Sequence, residues 1–122
     1  MSKQQNVLDG AAKVWCCWNS TNTPAIRDSL NTSSLTDNGT GHFTISFTSN
    51  YSNDDYVISG CHAASSAVAT YVYNLQPCQD STITTSSVQV YNTYSGRSYF
   101  GNAASGTGDY PYVALHSHGD LA

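Results

Sequence analysis

The sequence contains no Glu, and charged residues make up only 10% of its 122 positions, against about 25% in typical domains. Four Lys and Arg stand against eight Asp, which gives a formal net charge of -4. No segment clusters basic side chains, so nothing would neutralise a row of phosphates, and nucleic acid is excluded as the expected partner. No apolar run approaches the roughly 20 residues of a membrane-spanning helix, and no export signal is recognised.

Strong helix formers are also scarce, whereas Ser, Thr, Val and Tyr are abundant, and this composition is typical of all-β proteins. Short runs with the period of two expected of half-buried strands recur from residue 12 onwards, separated by Asn, Asp, Gly, Ser and Pro. The cleanest alternation places Phe43, Ile45 and Phe47 on one face. We therefore predict a single antiparallel β-sandwich of about seven strands at residues 11–122, preceded by an N-terminal arm at residues 1–10.

The four cysteines, Cys16, Cys17, Cys61 and Cys78, have no C-x-x-C spacing, which argues against a thioredoxin motif and a zinc knuckle. Adjacent cysteines on a strand point to opposite faces, so Cys16 and Cys17 do not readily serve one site. Small buried free thiols are the simplest interpretation. One or two disulfides are the alternative if the protein matures in an oxidising compartment.

Two segments between the strands have the composition of turns and loops. Asn38 and Gly39 separate two extended runs, and both tolerate the left-handed dihedral angles of a type I′ turn, so they predict a hairpin. Residues 95–111 contain four Gly and show no period, which predicts a long surface loop.

Aromatic residues cluster in and beside this predicted loop. Aromatic faces next to one Arg suit a site that stacks on sugar rings and binds their hydroxyls. The alternative is that the tyrosines pack on loop backbone or on a neighbouring subunit. The candidate glycan-binding residues are Tyr94, Arg97, Tyr99, Tyr110 and Tyr112.

Four segments between residues 12 and 47 follow one another at short spacing: AKVW, IRDS, SSLTDNGTG and FTISF. In this order they resemble a small domain that recurs in tail fibre and other virion appendage proteins of tailed phages. The similarity is looser at residues 54–57 and 87–90 and weak near the C-terminus. The resemblance implies a compact β-sandwich that associates as a homotrimer, is similar in outline to small trimeric lectin domains, and carries no catalytic residues.

A His-x-His pair near the C-terminus, His116 and His118, lies on one face of a predicted strand. Three copies around a trimer axis would offer six imidazole nitrogens to one metal ion, and phage fibres as a class include members that bind iron in this way. The alternative is an ordinary solvent-exposed pair at a strand end. No other cofactor is expected.

The expected function is that of a non-enzymatic virion protein, a tail fibre, tip or other appendage component, made in the host cytoplasm and docked on other virion proteins through residues 1–10. Large aromatics such as Trp15 and Trp18 independently favour a homo-oligomer. No G-x-S-x-G motif is present, and the sequence places no two carboxylates together as glycoside cleavage requires. The alternatives are a carbohydrate-binding adhesin that contacts host surface glycans and a capsid decoration protein.

Overall fold

A computed structural model describes residues 10–63, 71–97 and 103–122, and for residues 71–73, 97, 103 and 104 it describes the backbone alone. The described residues form two antiparallel sheets packed face to face, and they contain no helix that could span a membrane. A short 3-10 helix lies at Asp80–Thr82. The strands are β1 Val14–Asn19, β2 Ala25–Leu30, β3 Thr32–Gly39, β4 His42–Phe47, β5 Val57–Ala63, β6 Tyr71–Pro77, β7 Ser87–Arg97, β8 Ala103–Thr107 and β9 Tyr112–His118.

The predicted fold class, a single antiparallel β-sandwich, is confirmed, with nine described strands instead of about seven. The first sheet has the strand order β2-β1-β9-β5. The second has the order β3-β4-β7-β6, and β8 pairs with the far half of the long strand β7. Of the predicted N-terminal arm, only Gly10 lies within the described residues.

The core forms because alternate side chains of both sheets point inward. On β4, the three apolar residues of the clean alternation are all buried, while Thr44 and Ser46 between them are not. Trp18 is fully buried and packs on Phe43 with ring centroids 6.0 Å apart. The buried core residues are Val14, Cys16, Trp18, Phe43, Ile45, Phe47, Tyr51, Tyr56, Val88, Val90, Val113 and Leu115.

Three features differ in detail from the sequence-based expectation. The β3–β4 hairpin is present, but its connecting residues are Thr40 and Gly41, because Gly39 pairs with His42 and a bulge at Asn38 shifts the register. The predicted loop at residues 95–111 contains β8, which pairs with the end of β7, so the prediction of a loop without strands is wrong. Residues of low strand propensity form this strand because β7 supplies a backbone edge for pairing.

The third difference lies in β2, where a bulge interrupts the alternation of side chains between the two faces of the first sheet. Cys17 pairs with Asp28 and Trp18 pairs with Ile26, so Arg27 is the extra residue. Strict alternation over residues 25–30 predicts Ile26 and Leu30 on one face, and the bulge separates them. Leu30 lies opposite Trp15 on the outer side of the first sheet.

Candidate functional site

The outer side of the first sheet carries apolar and thiol side chains where a solvated sheet would carry polar ones. Strand pairing places Leu30, Trp15, His116 and Ser59 in one row across the four strands. The next row contains Asp28, Cys17, Ala114 and Cys61. We call this surface the thiol face, and it comprises Trp15, Cys17, Arg27, Asp28, Leu30, Val57, Ser59, Cys61, Tyr112, Ala114, His116 and His118.

Large apolar side chains of the thiol face are open to solvent. Leu30 is 47% exposed, Tyr112 is 43% exposed and Val57 is 66% exposed. Because Ala114 on the central strand is small, the middle of the face is concave and forms an open cleft of about 600 Å³ between Trp15 and Tyr112. Burial of this apolar surface against a binding partner would lower the free energy, because it removes the surface from water.

The two thiols of the face, Cys17 and Cys61, flank Ala114 from opposite sides, and both are free. Two strand spacings of about 4.8 Å separate their backbones, which is too far for a disulfide. The charge of the Cys17 thiolate raises the pKa of the Tyr112 hydroxyl, and a hydrogen bond to the same sulfur acts in the same direction. Arg27 opposes this effect, and its Nη2 donates a hydrogen bond of 2.6 Å to the Pro111 carbonyl.

The two candidate metal ligands lie side by side at the edge of the thiol face. His116 Nδ1 and His118 Nε2 are 2.9 Å apart and share a hydrogen bond. His118 Nδ1 lies 3.1 Å from the Gly10 carbonyl, which can only accept, so that nitrogen is the donor. In the neutral tautomer that this bond requires, Nε2 is the acceptor for His116 Nδ1. Within the described part of the chain, no three His, Cys or Asp side chains form a group that could hold a metal ion. A metal site shared by three copies stays a prediction.

The candidate glycan residues do not form one cluster in the described structure. Tyr110 packs against the core, with its ring stacked on buried His62 at 4.1 Å. Tyr112 lies on the thiol face. Tyr94 lies on the second sheet, where its hydroxyl covers Gly106. The Arg97 side chain and all of Tyr99 lie outside the described residues.

The outer side of the second sheet forms a different surface, which residue patterns alone did not identify. An open groove of about 440 Å³ lies over β6, β7 and β8. Among the described side chains, none that lines this groove carries a charge. We call it the polar groove, and its lining residues are Asn74, Gln76, Tyr91, Thr93, Tyr94, Ser95, Ser105, Gly106 and Thr107.

Tyr91 is an aromatic side chain of the polar groove, and contacts with its neighbours hold it in place. Its ring lies 4.5 Å from the ring of His42, and its hydroxyl forms a hydrogen bond with Cys78. His42 is fixed in turn, with Nε2 3.1 Å from Gln89 Oε1. The alternation at residues 87–91, which buries Val88 and Val90, was the signal that Tyr91 faces outward.

The chain matches no family model, no curated protein and no solved structure.

Proposed function

We propose that the chain is a non-enzymatic structural protein of a phage virion appendage, and that it assembles as a homotrimer through the thiol face. The observation that carries this proposal is the solvent-open apolar surface around Ala114 on an otherwise polar molecule. The resemblance of residues 12–47 to domains of phage appendage proteins supports the virion assignment.

A second copy of the chain is the occupant favoured by the chemistry of the face. Among the described residues that define the thiol face, the neighbours Arg27 and Asp28 carry opposite formal charges, which leaves no net charge to select a charged partner. The concave centre accepts a protruding group from a different surface of the next copy. Such a head-to-tail contact closes into a ring when the rotation between copies fits, and three copies make the smallest ring of this kind.

The oligomeric state is tested by light scattering and native mass spectrometry of the full chain at micromolar concentration. We expect a mass three times the 13.1 kDa of one chain. Ala114→Arg places a long charged side chain in the centre of the thiol face and is expected to give a monomer. Ser46→Arg places the same side chain on the outer side of the second sheet and is expected to remain a trimer. A wild-type monomer, or a trimeric Ala114→Arg variant with native circular dichroism, contradicts the proposed assembly.

The virion assignment has a separate test. Electron cryo-microscopy of phage particles that carry this sequence is expected to show three copies around an outward-pointing axis of a tail appendage. Density for the chain on the capsid instead would favour a decoration protein. Its absence from purified particles, measured by peptide mass spectrometry, would remove the virion assignment and leave the test of oligomeric state intact.

A further inference from the structure

We propose that the polar groove of the second sheet binds a neutral oligosaccharide, with Tyr91 as the stacking surface and the side-chain amides of Asn74 and Gln76 as hydrogen-bonding groups. This inference goes beyond a structural role in the virion. It does not depend on the trimer, because the groove and the thiol face lie on opposite sides of the sandwich.

The first argument is the preorganised aromatic ring. A sugar ring presents apolar C–H groups on one face, and an aromatic side chain that is already immobile loses little conformational entropy when it covers them. Tyr91 is held from two directions, by the ring of His42 at 4.5 Å and by the hydrogen bond of its hydroxyl to Cys78. Its ring therefore fits the role of a rigid platform at one end of the groove.

The second argument is the hydrogen-bonding capacity along the groove. Asn74 and Gln76 project on the same side of β6 and are exposed, and among the described residues their amide groups make no hydrogen bond. Each amide supplies two donors and one acceptor oxygen, a combination that pairs with vicinal hydroxyls. Hydroxyls from Ser105 and Thr107 extend this capacity along β8. The Thr93 hydroxyl already donates to the Asn74 carbonyl and remains able to accept a hydrogen bond.

The third argument selects neutral over acidic sugars. The described groove side chains provide no Lys or Arg to pair with a carboxylate or sulfate. The chain itself has a formal net charge of -4, which disfavours the approach of an anion. Recognition by hydroxyl, amide and ring groups without charge pairing therefore favours neutral oligosaccharides over acidic ones.

The test is a glycan array of neutral and sialylated oligosaccharides probed with the full chain, followed by saturation-transfer NMR on the glycans that bind. We expect neutral oligosaccharides to bind in preference to sialylated ones. Tyr91→Ala is expected to weaken binding at least tenfold, since the stacking surface is lost, and Asn74→Ala is expected to weaken it severalfold. Thr36→Ala, on the same side of the second sheet but outside the groove, is the matched control and is expected to bind as the wild type does.

Circular dichroism and thermal unfolding of each variant separate loss of binding from loss of fold. Tyr91→Phe removes the hydroxyl but retains the ring, so it is expected to bind within about threefold of the wild type if stacking dominates. Three results would overturn the proposal: no neutral oligosaccharide bound, wild-type affinity in folded Tyr91→Ala, or a preference for sialylated glycans. Binding retained in monomeric Ala114→Arg would show that the groove acts independently of assembly.

Discussion

At the scale of single residues, the four cysteines show how position in the fold sets the environment of a thiol. Cys16 faces the core, and burial raises its pKa to about 11. Cys17, its neighbour in sequence, points to the opposite side and lies half-buried on the thiol face. Cys61 is exposed on the same face, and burial raises the pKa of Cys78 beside Tyr91. The four thiols therefore differ in their access to solvent.

Thiol labelling is expected to follow this order. At pH 8, a pKa of about 11 leaves roughly one Cys16 side chain in a thousand as the reactive thiolate, even before access is considered. With iodoacetamide, peptide mass spectrometry of the native protein is expected to find Cys61 modified first and Cys16 last. Because its folded-state pKa is raised, the labelling of Cys16 continues to increase with pH above 9. Labelling of Cys16 as rapid as that of Cys61 in native protein would contradict the described core.

At the scale of elements, Gly41 is where the β3–β4 hairpin, β7 and the segment after β8 meet. Its carbonyl accepts a hydrogen bond from the Asn92 N–H, and its own N–H donates to Asp109 Oδ1. The Asn92 carbonyl accepts from Gly108 N–H. Gly41 has a φ of +64°, and a Cβ there would lie 2.7 Å from the Gly108 nitrogen. The close approach of three backbone segments therefore requires glycine at this position.

Gly41→Ala is expected to lower the free energy of unfolding by roughly 1–3 kcal/mol, through the left-handed φ and the backbone contact together. Chemical denaturation followed by Trp fluorescence measures this change. Thr40→Ala, the adjacent turn position, is the control and is expected to change stability by less than about 0.5 kcal/mol. Equal stability of Gly41→Ala and the wild type would show that the three segments do not approach as closely as described.

The strands that the sequence predicted well are those whose inner faces are mainly apolar, with Asn92 on β7 and Ser117 on β9 as buried polar exceptions. β1, β4, β7 and β9 each bury alternate side chains, so period-two patterns identify them directly. β8 contains two Ala, one Gly, Ser and Thr, and it is a strand because of its pairing with β7. The bulge at Arg27 likewise depends on β1, and no local pattern encodes it.

The candidate sites were harder to predict from the sequence, because they too depend on pairing between distant strands. Asn74, Tyr91 and Thr107 come from three strands, and only the register of β6, β7 and β8 brings them into one groove. Tyrosines close together along the chain were instead the candidates that the amino-acid sequence suggested. Tyr110 and Tyr112, two residues apart, lie in different surroundings, one against the core and one on the thiol face.

At the scale of the whole molecule, the two outer surfaces of the sandwich differ in chemistry. The thiol face exposes Leu30, Tyr112 and Val57, whereas the second sheet presents hydroxyl and amide groups. An apolar surface gains free energy when it is removed from water, and a neutral polar one gains little. The proposed assembly therefore covers the first sheet and leaves the second open to solvent and to sugars.

If association through the thiol face stabilises the fold, the thermal midpoint depends on protein concentration, because mass action favours the associated folded state. We expect the wild-type midpoint, measured by differential scanning calorimetry, to rise by several degrees between about 1 and about 100 µM. Ala114→Arg is expected to unfold at a lower midpoint that does not change with concentration, and Ser46→Arg is expected to behave as the wild type. A concentration-independent wild-type midpoint would mean that the exposed apolar side chains of the thiol face remain in water in the folded protein, and that one chain is stable without a partner.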